Sequence, residues 1–173
     1  MKTLTLLRHA KSGWDDMSLR DFDRRLNAKG KRAAATVGRH MRDQGLGYDL
    51  VVASPAVRVM ETLDGVASGY GRSLDPVWDK QLYLASATTL LDIVQALPSE
   101  HRSVLLVGHN PGLEDLTLLL AVDPGEAEEK YPTATLAELT VGERWADARP
   151  GSATLTRFVR PRDLDPALGP DEF

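Results

Sequence analysis

Apolar positions along the chain follow two alternating rhythms. Short β-type runs, rich in leucine, valine and threonine, occur at 3–8, 49–53 and Ser103–Gly108, a length and composition suited to strands. Each run is followed by a helix signal, either capping residues or apolar residues at helical spacing. Asn27 is placed to cap a helix running to about Gln44, and Gly45 is placed to end it. Ser54-Pro55 reads as an N-cap and first-turn proline ahead of Val59, Leu63, Val66 and Tyr70. Ser86 caps a helix carrying Leu90, Leu91, Val94 and Leu97, with Pro98 as its stop. Asn110-Pro111 repeats the cap-plus-proline pattern before Leu113, Leu116 and Leu120. The acid-rich stretch 123–133 reads as a polar loop, and 134–140 and 152–160 as later strands at or near a sheet edge.

The order β-α-β-α-β-α predicts an α/β fold, a three-layer α/β/α sandwich with a mainly parallel sheet. Residues 1–160 are expected to form a single domain. Pro161, Pro166 and Pro170 predict an irregular tail over 161–173.

Composition narrows the function classes. The chain has 173 residues, of which 42% are hydrophobic, and a net charge of −4. That balance argues against a surface built as a whole for nucleic acid or an anionic membrane. Without cysteine, a disulfide scaffold, a thiolate metal site and a cysteine nucleophile are all excluded. The longest apolar stretch, 118–122, is far short of a membrane span. The opening residues run straight into Arg8-His9 and lack the apolar region and cleavage site of a signal peptide. A cytoplasmic protein with no membrane partner is expected.

Three apolar runs end in reactive side chains: Arg8-His9-Ala10-Lys11-Ser12 after the first, Ser54-Pro55-Ala56-Val57-Arg58 after the second, and His109-Asn110-Pro111 after the third. In an open parallel sheet, ligands bind beyond the carboxyl ends of the strands. The three segments should therefore share one crevice, bringing two histidines and two arginines together. Grouped cations need an anion to compensate them, and a guanidinium fork matches phosphate oxygens. Two helix N-termini aimed at the crevice would reinforce the trap. A neutral imidazole in such a place can act as a nucleophile toward phosphorus. Phosphoryl transfer otherwise needs mainly positioning and charge neutralisation.

Arg8-His9-Ala10 resembles the Arg-His-Gly signature of the histidine phosphatase superfamily, which includes the cofactor-dependent phosphoglycerate mutases. The strings LLRHAKSGWDD, DFDRRLNAKG (21–30), SPAVRVMET (54–62) and VGHNPGLEDL (107–116) resemble the SixA-type phosphohistidine phosphatases. PTATLAEL (132–139) matches more loosely. The resemblance implies a phosphoglycerate mutase-like fold, with His9 as nucleophile and His109 as the second histidine contacting the transferring phosphoryl group. It implies that Arg8 and Arg58 clamp phosphate oxygens, that Arg24 is a further phosphate contact, and that Ser12 adds a donor. It implies no metal and no cofactor. The implied partner is a phosphorylated histidine-containing protein, a phosphotransfer domain of a bacterial signalling relay. A protein-borne phosphohistidine must reach His9, and the chain has no long insertion between its motifs to form a lid.

The sequence departs from the family pattern at four places. Ala10 replaces glycine, Arg25 replaces the proline after Arg24, and Glu61 stands where glutamine is common. Gln81-Leu82-Tyr83-Leu84-Ala85 occupies the region where mutase-like relatives carry a glutamate general acid. A general acid is worth ~10²–10⁴ in rate for an alkoxide leaving group, so its absence favours a phosphoramidate. Competing functions are phosphatase action on a small phosphorylated metabolite and a non-catalytic phosphate-binding module. A hydrolytic metal site on His9 and His109 fits poorly, because Arg8 and Arg58 would repel a divalent ion. Structural uses compete residue by residue. Arg24 has Asp21 and Asp23 as salt-bridge neighbours, and Arg58 has Glu61. His40 reads as solvated surface, His101 as loop, and Lys11 as an ordinary loop residue. Trp14 and Trp78 suit either a pocket mouth or packing.

Overall fold

The computed structural model describes residues 1–169. Its strands are β1 (Lys2–Arg8), β2 (Leu50–Ala53), β3 (Val77–Trp78), β4 (Ser103–Gly108), β5 (Leu136–Gly142) and β6 (Thr154–Val159). The helices are α1 (Ala28–Asp43), α2 (Val57–Tyr70), α3 (Ala87–Gln95), α4 (Gly112–Leu120) and α5 (Pro161–Leu164). One six-stranded sheet runs in the order β3-β2-β4-β1-β5-β6. The first four are parallel neighbours, whereas β5 and β6 are antiparallel additions beyond β1. The expected late strands thus lie at one edge. The edge strand β3 was not anticipated, since Val77-Trp78 is too short to show a period.

Alternate residues of the central strands serve two cores. Leu4, Leu6, Val104 and Leu106 pack with α3 and α4 through Leu90, Val94, Leu113, Leu116 and Leu120. Leu7, Leu105 and Val107 turn the other way, onto Val37 and Met41 of α1 and Val59 and Leu63 of α2. A strand buried on both faces reads as a near-continuous apolar run, as Val104–Val107 of β4 do, whereas β1 breaks the run with the buried Thr5.

Helix starts differ in detail from expectation. Asn27 caps α1 as expected, its side chain accepting from the Gly30 N–H at 2.8 Å, and Ser86 caps α3 by accepting from Thr89 at 3.2 Å. The helix after β2 begins at Val57, with Ala56 as a cap that offers no side chain, so Ser54-Pro55 is not its cap and first-turn proline. The Ser54 hydroxyl makes a shorter bond elsewhere. After β4 the helix begins at Gly112 rather than Pro111, although the Asn110 side chain still accepts from Glu114 N–H at 3.1 Å.

The tail is more regular than its prolines suggested. Pro161–Leu164 forms a helical turn, Asp165 caps the turn Pro166–Leu168, and Leu168 is buried in the second core. Because this segment packs along α1, His40 is half-buried beside Leu164 and Asp165 rather than solvated. The rest of the expected tail, 170–173, lies outside the described residues. The loop 123–133 also departs from a purely polar reading. Ala127 and Tyr131 are buried, and the Arg160 guanidinium ties the loop down through the carbonyls of Glu126 (2.9 Å) and Lys130 (3.2 Å).

Candidate active site

Strand register builds the site. Arg8 lies opposite Gly108 in the parallel β1–β4 pair, so the next residues, His9 and His109, leave the sheet side by side. Their ring centroids are 5.4 Å apart. Ala53 is level with Val107 in the β2–β4 pair, which brings Ser54 to the same end. Backbone bonds extend the sheet by one residue, from His9 N–H to Gly108 (3.1 Å) and from Ser54 N–H to Val107 (3.0 Å).

His9 is held by main chain. Its Nδ1 lies 2.7 Å from the Ala10 carbonyl oxygen. A carbonyl only accepts, so Nδ1 carries the proton and the neutral ring keeps its lone pair on Nε2. Burial, with help from His109, Arg58 and Arg8, pushes the His9 pKa well below its ordinary value and keeps the ring neutral. The following turn is anchored on α2: Ala10 N–H donates to the Thr62 hydroxyl (2.9 Å), which donates to the Arg58 carbonyl (2.6 Å). A Cβ at Gly30 would strike the Lys11 carbonyl, so a glycine there lets α1 close against the same turn.

His109 is held by side chains. Arg58 Nη2 donates to its Nδ1 at 3.3 Å, and its Nε2 lies 2.8 Å from the Ser54 hydroxyl. Burial and the Arg58 charge lower its pKa to about 4. Arg58 is itself fixed by Asp21, whose carbonyl accepts from Nη1 (2.7 Å) and whose carboxylate accepts from Nη2 (3.0 Å). That carboxylate also accepts from Arg24 at 2.9 Å and from the Tyr83 hydroxyl at 2.5 Å. Burial works against the charge, but Tyr83, Arg58 and Arg24 outweigh it and hold Asp21 at about 2. The Tyr83 ring meets His109 edge-on, centroids 5.3 Å apart.

Arg8 reaches the floor made by the 123–133 loop, donating through Nη1 to the Tyr131 carbonyl at 3.0 Å, where Asn110 Nδ2 also donates at 3.0 Å. Among the described residues, Arg8 and Arg58 each keep a buried Nε–H without a partner. Buried donors of this kind are costly to leave unpaired, and an anion between the two arginines would meet that need.

Arg24 and Ser12 lie one step outward. They bond to each other, while Arg24 also pairs with Asp21, donates to the Gly13 carbonyl (3.4 Å) and stacks on Trp14 at 3.4 Å from the ring centroid. Every guanidinium nitrogen of Arg24 thus has a partner within the protein. Asp21 wins over Asp23, which pairs with Arg20 at 2.8 Å. Trp14 remains mostly exposed, and Trp78 sits on the edge strand level with Ala53. Glu61 does not pair with Arg58 but accepts from Leu26 N–H at 2.8 Å, fixing the segment after Arg24. His101 pairs with Asp49 at 3.6 Å, away from the site.

Residues 4–83 match the family model described as the histidine phosphatase superfamily (branch 1). An uncharacterized protein of Mycobacterium tuberculosis is 34% identical over 163 residues, spanning 90% of this chain and all of that protein. Among solved structures, one from Nakamurella multipartitia, named provisionally as the phosphohistidine phosphatase SixA, is 32% identical. It has a TM-score of 0.79 and overlaps 92% of this chain and 96% of its own. Another from Agrobacterium tumefaciens, with the same provisional name, is 30% identical at a TM-score of 0.77, over 92% and 98% of the two chains. The chain belongs to the histidine phosphatase superfamily.

In this histidine phosphatase the sheet end gathers Arg8, His9, Arg58 and His109 as expected, while Arg24 and Ser12 join the cluster only through Asp21. Such an arrangement can neutralise an oxyanion and offer it an unprotonated ring nitrogen. Among the described residues, no group of three His, Asp or Glu side chains is placed to hold a metal ion, and no helix is long and apolar enough to cross a membrane. Sequence reasoning missed Asp21, which showed itself only as a local partner of Arg24. It treated Ser54 as a helix cap and saw in residues 81–85 only a missing carboxylate, not Tyr83. Thr62 lay within a recognised string, yet nothing local marks it as an anchor for Ala10.

Proposed function

We propose that this chain is a metal-independent phosphatase that forms a covalent phosphohistidine on His9 and acts on phosphohistidine carried by a signalling phosphotransfer protein. The observation that carries the reading is the 2.7 Å bond from His9 Nδ1 to the Ala10 carbonyl, which commits the ring proton and leaves Nε2 as nucleophile within the field of Arg8 and Arg58. Nε2 attacks phosphorus, the bond to the leaving imidazole nitrogen breaks, and that nitrogen departs with a proton acquired beforehand. Water then cleaves the new phosphorus–nitrogen bond, releasing inorganic phosphate and restoring His9. Arg8 and Arg58 neutralise the transferring oxygens.

Two observations support a phosphoramidate-type substrate. Residues 81–85 bring Tyr83, not a carboxylic acid, and the Tyr83 proton is engaged by Asp21. Asp21 is ionised at any physiological pH, since its pKa lies at about 2, and cannot serve as general acid. A leaving group that arrives protonated needs neither. The two solved SixA-named relatives, at 32% and 30% identity, carry the same substrate class in their names.

Mixing the protein with phosphoramidate in EDTA and measuring intact mass tests this. An acid-labile, base-stable phosphate adduct absent from His9→Ala is expected. His9-dependent phosphate release without an adduct would mean turnover too fast to trap. Neither signal would leave a phosphate-binding module, and preference for a phosphorylated metabolite over a phosphohistidine peptide would replace the substrate assignment.

A further inference from the structure

The Ser54 hydroxyl is fully buried, and helix capping does not account for it. Its oxygen lies 2.8 Å from His109 Nε2 and accepts only weakly from Ala56 N–H, at 3.3 Å. On the opposite side of the ring, Arg58 Nη2 lies 3.3 Å from His109 Nδ1. A guanidinium can only donate. In this resting arrangement His109 Nδ1 is therefore an acceptor, and the neutral ring carries its proton on Nε2, directed at Ser54 Oγ. The hydroxyl oxygen then accepts twice, and no described bond takes the hydroxyl proton.

That tautomer is wrong for holding phosphate. A lone pair on Nδ1 repels an oxyanion, and Arg58 spends a donor on the imidazole. Moving the ring proton to Nδ1 reverses both effects. Nδ1–H and Arg58 Nη2–H become two donors 3.3 Å apart, a spacing at which one anionic oxygen can accept from both. Without an anion the two donors would face each other unfavourably.

We propose that Ser54 is a positioning residue that switches the tautomer of His109, donating its hydroxyl proton to Nε2 when a phosphoryl oxyanion draws the ring proton to Nδ1. The proton count balances. His109 loses the Nε2 proton to water and gains one at Nδ1 from water, and it remains neutral throughout. Ser54 keeps its single proton and rotates it toward Nε2, while its oxygen continues to accept from Ala56. A hydroxyl suits this position because it both donates and accepts, whereas a carbonyl could serve only one tautomer. Here lies a contrast with His9, whose carbonyl partner allows one tautomer and no other. Burial and the Arg58 charge, which lower the His109 pKa to about 4, keep a doubly protonated ring from forming at neutral pH. The proposal rests on the phosphatase reading given above, because it concerns the same oxyanion.

Nitrogen-15 NMR of the histidine side chains in the full chain, free and with orthovanadate, tests it. The expected result is a His109 ring protonated at Nε2 in the free protein and at Nδ1 with orthovanadate. Ser54→Ala should abolish the change and weaken orthovanadate binding roughly tenfold, the scale of one buried group left unpaired, and Ser54→Thr should restore both. A ring protonated at the same nitrogen in both conditions, or at both nitrogens with orthovanadate, overturns the switch. The wild-type spectra decide this even if Ser54→Ala fails to fold. Phosphoramidate trapping on the same sample separates the two failures. A His9 adduct with no tautomer change sinks the switch alone, whereas no adduct and no orthovanadate binding removes both.

Discussion

The two histidines stand 5.4 Å apart at the ends of neighbouring parallel strands, yet they are built in opposite ways. The His9 ring donates to the backbone carbonyl of the next residue, at 2.7 Å. His109 is suspended between two side chains, Ser54 and Arg58, and Arg58 depends in turn on Asp21, Arg24 and Tyr83. A main-chain carbonyl survives any side-chain substitution and enforces one tautomer. A side-chain network can change its protonation and hydrogen-bond sense, at the risk of failing when a distant member is lost. A nucleophile gains from the first design, an oxyanion contact from the second.

The sharpest test of the contrast is deletion at each side. His9→Ala removes the ring nitrogen whose free lone pair is set by the main-chain bond, so phosphoramidate turnover should fall by at least ~10³-fold. Phosphate release assays on the folded variant check this, and residual turnover near wild type would transfer the nucleophile role elsewhere. Arg58→Ala should cost ~10²–10³ in kcat, the scale of losing an oxyanion donor. His109 would also lose its Nδ1 partner, so the variant's orthovanadate affinity should fall with its kcat.

Asp21→Asn probes how far the network carries. The amide keeps the size of the side chain but loses the charge that orients Arg58 and Arg24, and a kcat loss of about tenfold is expected, smaller than for Arg58 itself. In the double variant Arg58→Ala/Asp21→Asn, the second change should cost little more. Full additivity of the two losses would show that Asp21 does not act through Arg58. The same carboxyl sets an acid limit. Its folded pKa of about 2 lies below its ordinary 3.8, so the stability it contributes is present above pH 3.8 and lost as pH falls toward 2.

The histidines give a second pH window. Both stay neutral in the fold below the pH at which they charge in the unfolded chain, His109 down to about 4 and His9 well below 6.5. Between those values the unfolded chain binds protons that the folded chain refuses, so stability should rise from pH 4 to 6.5. Melting temperatures across that range check it, and His109→Gln should flatten the slope. An unchanged slope would mean that His109 is not held neutral.

Much of this was legible in the sequence because it rests on short-range signals. β4 announced itself because a strand buried on both faces cannot alternate, β1 because its leucines cluster in a short run rich in threonine, and α1 because Asn27 and Gly45 stand where a cap and a stop belong. The four central site residues could be named because each directly follows, or nearly follows, an apolar run. What escaped depends on contacts across long stretches of sequence. Asp21 meets Arg58 and Tyr83 only after α1, β2 and α2 have folded back. Tyr131 offers Arg8 a carbonyl, which no side-chain pattern can encode. Ser54 followed by proline has the local form of a cap, and only the neighbouring strand reveals the competing partner in His109.

Glu61 gives the smallest and most discriminating test of how the Arg58 side is framed. It stands in the same turn region of α2 as Arg58, where an ion pair was the competing structural use, but its Oε1 accepts from Leu26 N–H at 2.8 Å. A neutral amide oxygen accepts such a bond as well as a carboxylate does in geometry, so Glu61→Gln should leave stability and kcat close to wild type. Glu61→Ala leaves the Leu26 N–H without that partner and should cost ~1 kcal/mol, which is a drop of roughly 2–4 °C in Tm for a chain of this size. Since Leu26 follows the Arg24 segment that braces Asp21, a slight rise in KM should accompany the loss. Equal damage from Gln and Ala would mean that the charge of Glu61 matters after all, and that the arginines feel it through space rather than through Leu26.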